Sequence, residues 1–300
     1  MRDPARMGEI AGWPIAFRGG AAVAAGVITA DVLRGPRFLR LFPDTYVSAP
    51  EDGPPDLALR SHAAYRYLDG RGVLSGYSAA EVLGASCGPR NAPAEVTVPD
   101  LGQRTHAGLV VHRSRLLPGE ITEVNGVRTT SPLRTAYDLA RRGDLVERVV
   151  AVDRLANVHG FSPDLLLHFT ARNRRARGNE LIAEVLAHAE RRAGSPMETR
   201  LRMLIVQAGL PRPEAQWVVQ DENSRTAVWL DLAWPDRRIG IEYEGEGHTD
   251  RDQVLRDIGR YTGLVDKGWR IYRYTKLEIL RQPGLVVGQL GRAWQRTSET

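Results

Sequence analysis

Two carboxylates two residues apart on an extended segment point to the same side, close enough to share a cation. Glu242 and Glu244 stand in this relation on Arg238–Glu244, with Gly240 on their face and Ile239, Ile241 and Tyr243 on the other. Upstream, Asp231 lies on a second extended segment, Thr226–Ala233, which a Pro235-Asp236 turn folds back onto the first. Equal counts on either side of that turn bring Asp231 near Glu242. Like charges gathered this way repel and raise their pKa values unless a cation sits between them. A hard, oxygen-seeking ion such as Mg²⁺ or Mn²⁺ is the natural partner, and it would activate water and stabilise charge on a phosphodiester. Asp231 and Glu242 are therefore the expected metal ligands. Gly245-Glu246-Gly247-His248 follows the strand, so a loop able to bend around a ligand presents a histidine suited to metal binding or proton transfer. The bland alternative for these acids is an exposed strand face or salt bridges to neighbouring arginines.

The elements that must position these groups are readable on both sides. Ser195-Pro196-Met197-Glu198 opens a helix with Ser195 as N-cap and Glu198 returning the bond, a capping box. Leu201, Leu204, Ile205 and Ala208 form its apolar stripe, and Gly209 ends it. Strands are expected at Gln216–Gln220, Thr226–Ala233 and Arg238–Glu244. On the second, Val228, Leu230 and Leu232 share one face and Trp229, Asp231 and Ala233 the other. A long amphipathic helix from about Asp250 to Lys267 leads to a fourth strand, Trp269–Tyr274, and two closing helices complete an α-β-β-β-α-β-α order.

With those residues in place, a resemblance emerges. Leu230-Asp231-Leu232-Ala233-Trp234-Pro235, Ile241-Glu242-Tyr243-Glu244-Gly245 with His248, and Gly268-Trp269-Arg270-Ile271-Tyr272-Arg273 resemble the very-short-patch mismatch repair endonuclease-like domains of the restriction-endonuclease-like PD-(D/E)xK superfamily. The resemblance covers residues 195–296. It implies a mixed sheet flanked by helices, with Asp231 and Glu242 on the metal and Glu198 as the acidic residue of the first helix. Glu198 or Glu244 then completes the shell, and His248 assists the attacking water or the leaving group. Asp257 and Arg260 match polar positions beside that site. The superfamily lysine two residues after the third-strand acid is replaced here by Glu244, which removes the usual charged partner of the attacking water.

Composition bounds the rest. At 300 residues, with 42% hydrophobic and 26% charged, the chain is long enough for two domains and is not collagen-like, disulfide-built or wholly disordered. Of 41 Lys and Arg residues only Lys267 and Lys276 are lysine, which leaves 39 arginines. Only Lys readily deprotonates to act as a base, so an amine has two candidates and neither has a route to the metal. One cysteine, Cys87, excludes an intrachain disulfide and any multi-cysteine metal site. No apolar run spans a membrane and the first residues lack an export signal, so a cytoplasmic protein is expected.

The first fifty residues read as helix, turn, helix, hairpin, the plan of a winged helix. Arg34, Arg37 and Arg40 fall on its last helix or hairpin, where such a head meets phosphates of double-stranded DNA. Residues 51–194 read as an α+β middle region. Its helices include Leu57–Leu68, one opened by Ser131-Pro132, one from Asp144 to about Ala156 and one from about Asn179 to Arg192. Arg172, Arg174, Arg175 and Arg177 form the densest basic cluster, either a solvated face or a phosphate-contacting patch. Arg134-Thr135-Ala136-Tyr137-Asp138-Leu139-Ala140 and the preceding Thr-Ser-Pro turn resemble the antitoxins of type IV toxin–antitoxin systems, which implies a DNA-binding head and a toxin-system protein partner. The sequence thus describes an α/β protein with three parts, 1–50, 51–194 and 195–296. Its main functional expectation is a metal-dependent DNA endonuclease. The alternative is a non-catalytic DNA-binding regulator or antitoxin on a degenerate nuclease fold.

Overall fold

The computed structural model describes residues 14–99, 106–220, 227–245 and 262–296. By its internal packing the chain divides into two units, Met1–Arg142 with Leu165–Ala176, and Gly143–Asp164 with Arg177–Thr300.

The first unit opens with β1 (Ala16–Arg18), α1 (Gly19–Ala24), α2 (Ala30–Arg34), β2 (Phe38–Phe42) and β3 (Thr45–Ser48). Thr29 caps α2 by accepting from the Val32 N–H, as its side chain and position favour. The antiparallel sheet runs β1-β3-β2 over a core of Phe17, Ile28, Leu33 and Phe38. Gly19 is obligatory there, because a Cβ would stand 2.5 Å from the Tyr46 ring and 2.7 Å from Leu33.

Next come α3 (Leu57–Tyr67), β4 (Val73–Leu74), α4 (Gly76–Val82), β5 (Ala94–Val98), β6 (Leu109–Arg113), β7 (Ile121–Val124), β8 (Val127–Thr130) and α5 (Pro132–Ala140). The strands form a mixed sheet ordered β6-β5-β4-β8-β7, with β4–β8 and β5–β6 parallel. Leu68, Leu74, Val96 and Leu109 pack in its core. The chain then leaves as α6 (Leu145–His159), part of the second unit, and returns as α7 (Leu166–Arg172). There Phe169 stacks on Tyr137 of α5 with ring centroids 5.1 Å apart.

In the second unit α6 is joined by α8 (Ile182–His188), α9 (Pro196–Gln207), β9 (Glu214–Gln220), β10 (Ala227–Trp234) and β11 (Ile239–Glu244). Residues 262–266 are helical and precede β12 (Arg270–Thr275), α10 (Lys276–Arg281) and α11 (Pro283–Arg296). The sheet order is β12-β11-β10-β9, antiparallel except for the parallel β11–β12 pair. Apolar residues pack on both sides of it: Leu201, Leu232, Ile239 and Ile241 on one, Val219, Leu230, Leu264 and Trp269 on the other. The α/β expectation holds in both units.

A charged pair lies inside this second core. Arg202 Nη2 donates to Asp153 Oδ2 at 2.7 Å, and both side chains are all but inaccessible. Asp153 also accepts from the Glu190 N–H and the Thr199 hydroxyl, and Arg202 from its other nitrogen reaches the His188 carbonyl. Burial pushes the Asp153 carboxyl up to about 6, against the pull of Arg202 and these donors.

Two local expectations are corrected. The helix expected over Asn179–Arg192 stops at His188, and Ala189 is extended. Asp153 takes the Glu190 N–H and Glu190 takes Arg192, so side chains satisfy groups that another helical turn would have used. The strict alternation expected along β10 also breaks. Leu230 and Leu232 pack on opposite sides of the sheet, and the break falls at Asp231 and at Gln216 beside it, whose φ is 51°. Among the described residues no helix is long and apolar enough to cross a membrane.

Candidate functional site

The expected carboxylates are brought to one part of the second unit's sheet, but not as a free cluster. The β10–β11 register pairs Leu232 with Ile241, so Asp231 falls beside Glu242, as the turn arithmetic predicts. Ladder pairing ends there because Asp231 Oδ2 accepts the Tyr243 N–H at 2.8 Å, a side chain standing in for a strand carbonyl. Glu242 is buried and Glu244 is partly open. The parallel register sets Arg273 of β12 directly beside Glu242, on the same face. Its guanidinium donates to Glu244 Oε1 at 3.0 Å and lies 4.0 Å from Glu242 Oε2. The positive charge between these two acids is supplied by the chain itself.

Glu198 is drawn elsewhere. Its Oε2 accepts from the Gly194 N–H at 2.8 Å and from Gln216 Nε2 at 2.9 Å, while Ser195 caps the Glu198 N–H. The return bond thus goes one residue earlier than the expected capping box. Burial pushes the Glu198 carboxyl above its ordinary value, against these donors. Gln216 links it to the distortion opposite Asp231, so Glu198 is tied to the site by one amide. His248, Asp257 and Arg260 lie outside the described residues.

A hard divalent cation asks for several free oxygen ligands in a compact set. Here one Asp231 oxygen is held by a backbone donor, and Glu244 is held by a guanidinium that also approaches Glu242. Among the described residues no three His, Cys, Asp or Glu side chains are grouped to hold a metal ion. Among the described residues, the Asp231, Glu242 and Glu244 carboxylates are not left as a free set of this kind.

The arginines expected at nucleic acid are exposed. Arg34 ends α2, where it pairs with Asp31 at 3.1 Å; Arg37 precedes β2 and Arg40 lies within it. Arg172, at the end of α7, and Arg174 and Arg175 after it belong to the first unit, and Arg177 to the second; all four are exposed.

The arrangement that sequence reasoning missed is a cleft of about 310 Å³ in the first unit, beside α5. Arg113 of β6, Arg134 and Arg141 of α5, Arg142, His112 and Ser75 are among its lining residues. Arg134 is fixed on three sides: Nε to Asp138 at 2.8 Å, Nη1 to Glu120 at 2.7 Å, and Nη2 toward the Ser114 hydroxyl at 3.4 Å. Arg141 donates to the other oxygen of Asp138 and lies 4.2 Å over the Tyr137 ring. Deeper in, Glu95 Oε2 is 2.7 Å from both His112 Nε2 and Arg142 Nη2. Burial alone would raise the Glu95 carboxyl. The bond to His112, the Arg142 charge and the Tyr77 N–H outweigh it and hold the carboxyl below its ordinary value.

Gly76 makes this packing possible. Its φ is +54°, and a Cβ would stand 2.5 Å from Glu95 Oε2 and collide with Arg142. The sequence signal was present in Arg134-Thr135-Ala136-Tyr137-Asp138. Asp138 reads in isolation as a helix-surface acid, whereas the fold turns it into the clamp between two arginines.

Residues 72–195, which include every lining residue of this cleft, match the AbiEi antitoxin C-terminal domain family. The uncharacterized protein MT2308 of Mycobacterium tuberculosis (strain CDC 1551 / Oshkosh) is 28% identical over 244 residues, covering 81% of this chain and 88% of the relative. The uncharacterized protein Rv2248 of Mycobacterium tuberculosis (strain ATCC 25618 / H37Rv) matches with the same identity and coverage. Among solved structures, the RV2827C protein from Mycobacterium tuberculosis aligns with a TM-score of 0.40 and 13% identity over 69% of this chain and 84% of that one.

Proposed function

We propose that this protein is a DNA-binding regulator of the type IV antitoxin kind, acting with a toxin-system protein partner. The observation that carries the reading is the match of residues 72–195 to the AbiEi antitoxin C-terminal domain. The head adds support. A β-α-α-β-β order with the sheet arranged β1-β3-β2 suits a winged helix, and Arg34, Arg37 and Arg40 stand exposed on its α2 and β2 side. Phosphate contacts from such arginines supply affinity without sequence information.

In this reading the C-terminal unit, with its sheet ordered β12-β11-β10-β9, serves as a scaffold. The nuclease alternative draws on the neighbouring Asp231 and Glu242. The Arg273 guanidinium, set against Glu242 and bound to Glu244, favours the scaffold.

The test uses the full chain with a random-sequence duplex pool in a mobility-shift assay, with and without Mg²⁺. Retarded, intact DNA is expected for the wild type and for Asp231→Asn alike. Absence of any duplex binding at low salt overturns the reading. So does Mg²⁺-dependent nicking that Asp231→Asn abolishes.

A further inference from the structure

We propose that the arginine cleft beside α5 is a binding site for a small phosphate-bearing organic molecule of about mononucleotide size. This goes beyond the DNA-binding reading and does not depend on it.

Three of the four arginines in the wall are already committed. Arg134 and Arg141 are locked by Asp138 and Glu120, and Arg142 by Glu95 and His112. Their three carboxylate partners balance their three charges. These bonds hold the three arginines in place, which lowers the cost of ordering them on binding. Arg113 differs. It ends β6, its side chain is exposed, and it has no hydrogen-bond or ion-pair partner among the described residues. One guanidinium, whose planar fork matches phosphate oxygens, is left over at the cleft wall.

A second observation points the same way. Ser75 is 1% exposed, and its hydroxyl has no hydrogen-bond partner among the described residues. It occupies the N-cap position of α4, yet its side chain does not cap the helix. A buried hydroxyl left unsatisfied at the wall of a polar cleft calls for a bonding partner. Thr97 and Asn173 add further neutral polar groups to the lining. Arginine together with hydroxyl and amide groups is the chemistry that receives phosphate. The volume, about 310 Å³, exceeds what a bare phosphate fills and lies at the lower end of small-molecule sites, so the ligand carries an organic body.

The experiment is calorimetric titration of the DNA-free full chain at low ionic strength with AMP, ribose 5-phosphate, inorganic phosphate and adenosine. Saturable binding of AMP or ribose 5-phosphate, tighter than phosphate and absent for adenosine, is expected. Arg113→Ala should weaken it about tenfold or more, the effect of removing one charge-assisted hydrogen bond, while the exposed position leaves the unliganded melting temperature unchanged. Ser75→Ala should weaken it by a smaller factor. Arg175→Ala, exposed and absent from the cleft lining, should leave affinity as it was. Inorganic phosphate binding as tightly as the sugar phosphates would overturn the organic-ligand assignment. Binding no better than adenosine, or an equal loss in Arg113→Ala and Arg175→Ala, would overturn the site.

Discussion

Arg273 Nη2 donates to Glu244 Oε1 across 3.0 Å, from a parallel neighbouring strand whose register also seats it beside Glu242. A cation of the chain itself already stands between two of the expected acids. Arg273→Ala removes it and leaves the two carboxylates facing each other. Mn²⁺ affinity, followed by electron paramagnetic resonance titration, should rise about tenfold or more over the wild type. Equal Mn²⁺ affinity in the two forms would show that Arg273 does not govern cation binding at these acids.

The head arginines should behave as phosphate contacts. Arg37→Ala/Arg40→Ala is expected to weaken duplex binding similarly across unrelated sequences. The slope of log affinity against log salt should become shallower by about 2, from roughly 0.9 for each phosphate that is no longer neutralised. Arg34→Ala should have a smaller effect, because Asp31 already competes for that side chain. A double variant with an unchanged salt slope would place the DNA elsewhere on the protein.

Glu95 makes a pH prediction with a definite sign. Its carboxyl is held below the ordinary 4.5 by His112, Arg142 and the Tyr77 N–H, despite burial. An acid whose folded pKa is depressed contributes stability that is fully present above its unfolded value and is lost as pH falls through the folded value. The melting temperature should therefore decline as pH drops below about 4.5, and Glu95→Gln should flatten that part of the curve. Parallel curves for the two proteins would remove Glu95 from the account.

The Asp153–Arg202 pair gives the largest expected loss of stability. Arg202→Ala leaves a buried carboxylate without its counter-charge, at a cost of about 3–5 kcal/mol in urea denaturation. An exposed control such as Arg175→Ala should stay within about 0.5 kcal/mol. The prediction fails if Arg202→Ala unfolds at the same urea concentration as the control.

The sequence carried local information well where chemistry and pattern agreed. Ser195-Pro196 and Ser131-Pro132 open helices as read, Thr29 caps α2, and the Pro235-Asp236 turn sets Asp231 near Glu242. Relations across long chain separations were not readable. Strand periodicity places Arg273 on one face with Ile271, but only the parallel register, set after a crossover, shows that this face meets Glu242. The cleft was illegible for the same reason. Ser75, the adjacent His112 and Arg113, and Arg134 come from three separate parts of the chain, so their convergence belongs to the sheet order β6-β5-β4-β8-β7. The Asp153–Arg202 bond joins residues 49 apart, and nothing in either neighbourhood announces the other.

The interleaving of the two units has a consequence for synthesis. Translation delivers α6, an element of the second unit, before α7, an element of the first. The nascent chain therefore cannot finish one unit before beginning the other. Asp153 on α6 must wait for Arg202, 49 residues later, which at about 5–20 residues per second is a delay of roughly 2–10 s. During that interval α6 presents Val149, Val152 and Leu155, all inaccessible in the finished protein, with no α9 to cover them.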